Sequence, residues 1–239
     1  MSSAITILPV AGIGEIRPGD ELGDTLAGVL GQGAEHPLVD GDVLVVTQKV
    51  VSKAEGRVVP LDHDDSSAKV ALVESEAVRI LRRRGDLLIT ETEHGFICAN
   101  AGIDLSNVAD GTAALLPVDP DRSARRIRGG IHRQLNVTCA VVISDTFGRP
   151  WRSGVTDVAI GSAGLRAVVD LRGTRDAMGR ELQATEVCVA DEIASAAELA
   201  MGKASGIPAA IVRGVPADWL GEGSVREQIV RPNDGDLFR

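Results

Sequence analysis

The chain has 239 residues, a formal net charge of −9, 44% hydrophobic and 25% charged residues, and only 2% aromatics with no tyrosine. That length holds one large domain, or two intimate subdomains, with ample core material. The acidic balance and the scarcity of aromatic rings argue against a nucleic-acid partner, which needs a basic footprint or a stacking platform.

The first residues, MSSAITILPVAG, lack a basic n-region and a long apolar h-region, so no signal peptide is read there. No apolar run approaches the roughly 20 residues of a membrane span. No membrane association is expected, and the expected compartment is the cytoplasm. Apolar runs rich in β-branched residues predict strands at 5–10, 43–47, 86–90, 115–118, 138–144, 165–171 and 208–214. Between them, Val70, Val73, Ala77, Ile80 and Leu81 recur at helical spacing. They predict one helix over 66–84 that ends in Arg82-Arg83-Arg84 before a Gly85 stop. Ala124, Ile127, Ile131 and Leu135 form a stripe over 121–135, opened by Asp119-Pro120 as cap and first-turn proline. Ile193, Ala196, Ala197 and Ala200 form another over 186–201, stopped by Gly202. The polar stretch 61–67 and the loop-rich run 217–236 receive no assignment. The mixture reads as α/β, or mixed α+β, too irregular for a clean doubly wound sheet.

Several chemistries are missing. Cys98, Cys139 and Cys188 are far apart and read as core residues, and His36, His63, His94 and His132 show no paired-ligand spacing. No GxxxxGK[ST] loop occurs, and Gly12-Ile13-Gly14 lacks the third glycine of a dinucleotide fingerprint.

Three segments carry polar groups in suggestive places. At 40–57 a strand runs into Thr47, Gln48, Lys49, Ser52, Lys53, Glu55 and Arg57. This is either a site at a strand's exit, with Lys53 as a phosphate partner, or a solvated turn. At 100–111, Asn100, Asp104, Ser106, Asn107 and Asp110 sit among glycines. They suit either a hard oxygen-seeking cation or a plain Asx-turn loop. At 141–154 a buried run ends in Asp145-Thr146 and leads into a loop holding Arg149, Trp151 and Arg152 between Gly148 and Gly154. The strand fixes the carboxylate, Thr146 offers a metal or phosphate contact, and the arginines suit anionic oxygens. The alternative is an aspartate that only caps a turn. Arg122, Arg125, Arg126, Arg128 and Arg133 form either a solvated helix face or a source of positive potential for a phosphorylated substrate. Two aspartates with lysine and arginine nearby favour phosphoryl transfer over a nucleophilic triad.

The blocks LPVAGIGEIRPGD, GDVLVVTQKVVSKAEGR, NAGIDLSNV, LLPVDPDRSA, VVISDTFGRPWRSG, AIGSAGL, GRELQATEVCVADEIASAAELAMGK and IPAAIVRG, in one order over nearly the whole chain, resemble the coenzyme F420-0:L-glutamate ligase family. The resemblance implies a ligase that uses GTP and Mn2+ or Mg2+, with K+ as a further candidate. It would add L-glutamate to the lactyl carboxylate of F420-0, then γ-linked glutamates, through an acyl phosphate. It also implies an unusual α/β fold that is neither Rossmann nor P-loop, in an intertwined homodimer. The whole of 1–239 would be one ligase domain, with no C-terminal reductase-like domain after it.

By motif, nucleotide contacts fall on Ile13, Gly14, Glu15, Ile16, Gln48, Lys49, Lys53 and Asn107, and on the loop from Met201 through Gly202, Lys203 and Gly206. Divalent-metal positions fall on Asp104, Asp145 and Thr146. Asp145, Arg149 and Arg152 are the expected catalytic residues. Archaeal members of the family carry a metal-binding glutamate after Met-Gly, where this chain has Lys203 in a shorter loop. Either the Lys203 ammonium replaces metal charge, or a second metal binds more weakly. Two other readings stay open: a ligase of the same chemistry on another phosphorylated hydroxy acid, and a non-catalytic GTP-binding module.

Overall fold

A computed structural model describes residues 4–236. The start of the N-terminal segment and the last residues of DGDLFR, on which the targeting and domain-boundary expectations partly fall, lie outside the described residues.

In chain order the elements are β1 (Thr6–Pro9), α1 (Leu22–Leu30), β2 (Val43–Thr47), α2 (Gln48–Ala54), β3 (Val58–Pro60), α3 (Ser66–Glu76), β4 (Ala77–Arg84), β5 (Leu87–Thr92), β6 (Ile97–Ala99), β7 (Thr112–Ala114), α4 (Pro120–Leu135), β8 (Ala140–Arg149), β9 (Arg152–Ala163), β10 (Val169–Asp170), β11 (Glu186–Val187), α5 (Val189–Met201), β12 (Ala209–Arg213) and α6 (Val225–Gln228). Short 3-10 turns lie at Asn100–Gly102, Ala217–Trp219 and Asn233–Gly235.

The central sheet runs β1-β12-β2-β8-β9, with β2 and β8 parallel and the other neighbours antiparallel. Its inner strands are apolar on both faces, as a sheet covered on both sides requires. Leu44, Val46, Val141, Ile143 and Ile211 share one core with Leu26 and Leu30 of α1 and Ile127 and Ile131 of α4. Val43, Val45, Val142, Ala210 and Val212 face the other way, onto Ala190, Ile193, Ala194, Ala197 and Met201 of α5. The period-two alternation of the strands sorts these residues into the two layers.

Two close approaches set the helix positions. Gly23 of α1 meets Gly130 of α4, where a Cβ on either would lie 2.7 Å from the other's Cα. Gly161 of β9 lies under the start of α4, where a Cβ would fall 2.4 Å from the Pro120 carbonyl carbon. Three small sheets, β3-β7, β4-β5-β6 and β10-β11, complete the strands.

The α4 prediction holds in detail. The Asp119 side chain accepts from the Arg122 N–H at 2.9 Å, and Pro120 opens the helix. The helix predicted over 66–84 is corrected: it stops at Glu76, and Ala77–Arg84 is strand β4. Val73 alone of α3 is buried, so the helical stripe had little core to face, whereas β4 pairs antiparallel with β5 along its length. The three arginines therefore lie in a strand and do not complement a helix terminus. The strand expected at 115–118 lies earlier, at β7, and only Val169–Asp170 of 165–171 pairs as strand. The loop expected after Asp145 is instead a long hairpin. β8 continues to Arg149, and β9 returns from Arg152. Gly148 and Gly154 sit in strands and would meet nothing within 4 Å if given a Cβ.

Candidate active site

The parallel pair organises the site. Thr47 is opposite Ser144, so β2 and β8 end on the same side of the sheet. Burial stops at the same level, because Ser144 is 1% exposed and the next residues of β8 emerge. Beyond that point β2 turns directly into α2, whose Lys49 lies close enough to Asp145 for its charge to act on that carboxyl. Crevices outside the carboxyl ends of parallel strands are where α/β sheets place ligands.

Asp104 enters from the segment between β6 and β7, pinned by a two-way backbone bridge to Ala114 (3.0 and 2.9 Å). Its carboxylate accepts from the Ser106 N–H at 2.7 Å and pairs with Lys49 Nζ at 2.8 Å. Burial pushes this carboxyl up, but the bonds from Lys49 and Ser106 outweigh it and hold the group below its ordinary range. Asp145 behaves oppositely. Burial pushes its carboxyl up to about 7, and the charges of Asp104 and Asp157 push the same way, against the Thr146 N–H and Lys49. The site thus holds more negative charge than its lysine balances. Cys98 lies close enough to feel Asp145, and burial foremost pushes its thiol up to about 12, which keeps it protonated and inert.

A second polar knot lies across the hairpin. Asp157 of β9 stands opposite Thr146 and is 1% exposed. Its Oδ2 accepts from Ser144 Oγ at 2.9 Å, and its Oδ1 accepts from Thr146 Oγ1 at 2.7 Å and pairs with Lys203 Nζ at 2.7 Å. Lys203 also donates to Thr146 Oγ1 and pairs with Glu198 at 3.2 Å. Burial lowers the Lys203 ammonium's pKa, but its bonds to Asp157 and Glu198 more than compensate and hold it above its ordinary value.

The remaining expected residues fall into three groups. Ile13, Gly14, Glu15 and Ile16 form an irregular segment after β1, with Gly14 and Glu15 exposed and Ile16 buried. Lys53 Nζ is held by Glu15 at 2.6 Å, so this segment and α2 meet. A cleft of about 400 Å³, lined by Val10, Gly12, Val29 and His36, borders the same segment. Asn107 is exposed with a φ of +53°, and Met201, Gly202 and Gly206 frame the turn that carries Lys203. Gln48 points inward instead. It is 1% exposed, and its Nε2 donates to Leu115 O at 2.8 Å and Ser52 Oγ at 2.6 Å. Its Oε1 is buried without a partner among the described residues. Arg149 and Arg152 face each other at the hairpin tip. Four extended residues place Arg149 on the order of 13 Å along β8 from Asp145, so the tip does not stand beside the carboxylates. Asn100 is also elsewhere, with its Oδ1 accepting from the Leu88 N–H. Most of the α4 arginines face solvent; Arg126 pairs with Glu21, and Arg128 donates to Cys139 O.

Sequence reading missed Asp157, Glu198 and Ser144. One signal was present. In VTDVAIG an acidic residue occupies the phase of the buried Ala159, and a carboxylate on a strand's inner face needs a partner.

Asp104 and Asp145 fit a divalent ion of the hard, oxygen-preferring kind. They are two neighbouring carboxylates, and burial foremost, joined by the charges of Asp104 and Asp157, drives Asp145 toward neutrality. Among the described residues no group of three or more His, Cys, Asp or Glu is arranged to hold a metal. The third nearby carboxylate, Asp157, is already taken by Lys203. Two carboxylates completed by substrate oxygens and water are the usual Mg2+ arrangement.

A family model described as F420-0:Gamma-glutamyl ligase matches residues 12–214. The chain belongs to the F420-0:gamma-glutamyl ligase family. It is therefore a ligase, and Asp104, Asp145 and Lys203 all lie inside the matched span. A protein of Methanothermobacter thermautotrophicus named "Coenzyme F420:L-glutamate ligase" is 42% identical, over 98% of this chain and 99% of its own. Proteins of the same name from Methanopyrus kandleri and Archaeoglobus fulgidus are 42% and 38% identical, each over 98% of this chain and over 98% and 96% of their own lengths. Among the described residues no helix of this F420-0:gamma-glutamyl ligase family member is long and apolar enough to cross a membrane.

Proposed function

We propose that the protein joins L-glutamate to the lactyl carboxylate of F420-0 at the cost of GTP, and then extends the chain through γ-linkages. The observation that carries this reading is the charged cluster at the ends of β2 and β8, where Asp104 and Asp145 lie near each other beside Lys49. Relatives that carry the ligase name over the whole length of this chain support the choice of substrates.

Asp104 and Asp145 would hold Mn2+ or Mg2+, which supplies charge neutralisation to the transferring phosphoryl group. Lys49, already in this cluster, adds positive charge to the phosphate oxygens. Lys53, Glu15 and the exposed Gly14 form the rim of the nucleotide site, and the adjoining cleft suits its base. The substrate carboxylate is ionised at neutral pH and attacks the γ-phosphorus without a base, giving an acyl phosphate and GDP. The deprotonated glutamate amine then attacks the acyl carbon, the amide C–N bond forms as the acyl C–O bond to phosphate breaks, and the surplus proton on nitrogen passes to solvent. Arg149 and Arg152, at the hairpin tip, reach an anionic part of the substrate distant from the reacting carboxylate.

The same reading takes 1–239 as one ligase domain, neither Rossmann nor P-loop, acting as a cytoplasmic homodimer. The exposed Trp151 and Val155 on the hairpin (85% and 63%) support a partner surface there. The test is coupling. With Mn2+ present, GDP release should require both L-glutamate and F420-0. Release that ignores glutamate, or that accepts simple phosphorylated hydroxy acids as readily as F420-0, would refute the assignment.

A further inference from the structure

The surroundings of Lys203 are those of a bound cation. Thr146 Oγ1 from β8, Asp157 Oδ1 from β9 and Glu198 Oε1 from α5 converge on one point, and the ammonium occupies it. Its three N–H donors find these three acceptors, so the head group is saturated. The hydroxyl geometry agrees, because Thr146 gives its own proton to Asp157 and so presents a lone pair to Lys203. The Asp157 side chain is 2% exposed and pairs with no other cation among the described residues, whereas the Lys203 side chain is 55% exposed. The position therefore opens to solvent on the lysine side and is closed on the carboxylate side. An isolated buried carboxylate is too costly to keep charged. Something positive must sit there, and here the chain supplies it.

We infer that Lys203 is a tethered cation: its ammonium fills an oxygen-lined cation position formed by Thr146, Asp157 and Glu198, so the protein takes one divalent ion per chain, at Asp104 and Asp145, and none at this position. The count of one rests on the metal-dependent reading proposed above; the filled position does not. A consequence is that a carboxylate in place of the ammonium would turn the position into a second divalent site. Glutamate at 203 would add a ligand to Asp157, Glu198 and Thr146, a set of hard oxygen donors.

The test counts ions without turnover. The full-length protein is titrated with Mn2+ in the absence of nucleotide, and free Mn2+ is read by electron paramagnetic resonance. The wild type and Lys203→Arg should each bind one ion, and Lys203→Glu should bind two. The double variant Asp145→Asn with Lys203→Glu should return to one. A second measurement covers the case in which Lys203→Glu does not fold. Lys203→Ala should melt below the wild type in chelator and regain more stability than the wild type on adding Mn2+ or K+. Two ions in the wild type would overturn the inference. So would equal counts in wild type and Lys203→Glu, or an Ala variant whose melting ignores cations. A wild type that binds one ion but forms no glutamylated product would instead count against the proposed reaction alone.

Discussion

Asp145, half-buried, and Asp157, fully buried, are carboxylates on one hairpin, yet their surroundings separate them. Asp157 has a hydroxyl on each oxygen and an ammonium on one; Asp145 has a single backbone N–H and two acidic neighbours. With its carboxyl raised from 3.8 to about 7, Asp145 binds its proton more tightly in the folded chain than in the unfolded one. Between those values the folded state carries the extra proton, so metal-free stability falls as pH rises from about 4 to about 7. Above that window the ionised group costs on the order of 4 kcal/mol. A divalent ion needs the ionised form, so Mn2+ affinity should climb as pH passes from 6 to 8. Calorimetric titration of Mn2+ across that range should show the climb in the wild type and a flat, weak response in Asp145→Asn. A wild-type affinity independent of pH would place the ion elsewhere. The residue types at 104, 145 and 203 were legible in the sequence. The partner of Lys203 was not, because Asp157 is distant in sequence and meets it only through the hairpin and the end of α5.

The elements show why local pattern sometimes sufficed. The stripe, cap and proline of α4 all pointed one way, and the helix forms as expected. In 77–84 the spacing of Ala77, Ile80 and Leu81 fitted a helix, but Val78 and Ile80 are β-branched and β5 offers a pairing edge. Long-range pairing won, as it does where a segment has little core of its own to face. The hairpin was hidden for a related reason: the glycines and Pro150 of 148–154 read as a loop, although the strands carry on to either side of a two-residue turn. Asp121, in the first turn of α4, shows a carboxylate used for structure. It is 6% exposed and accepts from the N–H groups of Ser162 at 2.8 Å, Val225 at 3.0 Å and Arg226 at 3.1 Å. It ties β9 and the start of α6 to α4. Asp121→Ala leaves buried donors without an acceptor and should destabilise the fold by about 2–4 kcal/mol, read as a lowered denaturant midpoint. A midpoint within experimental error of the wild type would contradict that role.

At the scale of the whole molecule, two apolar layers hold the central sheet, and charged groups collect where its parallel pair, β2 and β8, ends. That the chain mixes helices and strands was readable from its apolar runs. The strand order was not, since β12 inserts between β1 and β2 from the far end of the sequence. The proposal stands on this cluster joining glutamate to F420-0. The most direct test is to incubate the protein with GTP, Mn2+, L-glutamate and F420-0 and to weigh the products by mass spectrometry. Species heavier than F420-0 by one glutamyl residue, and then by more, should form together with GDP. Nucleotide binding with F420-0 left unchanged in mass would contradict it.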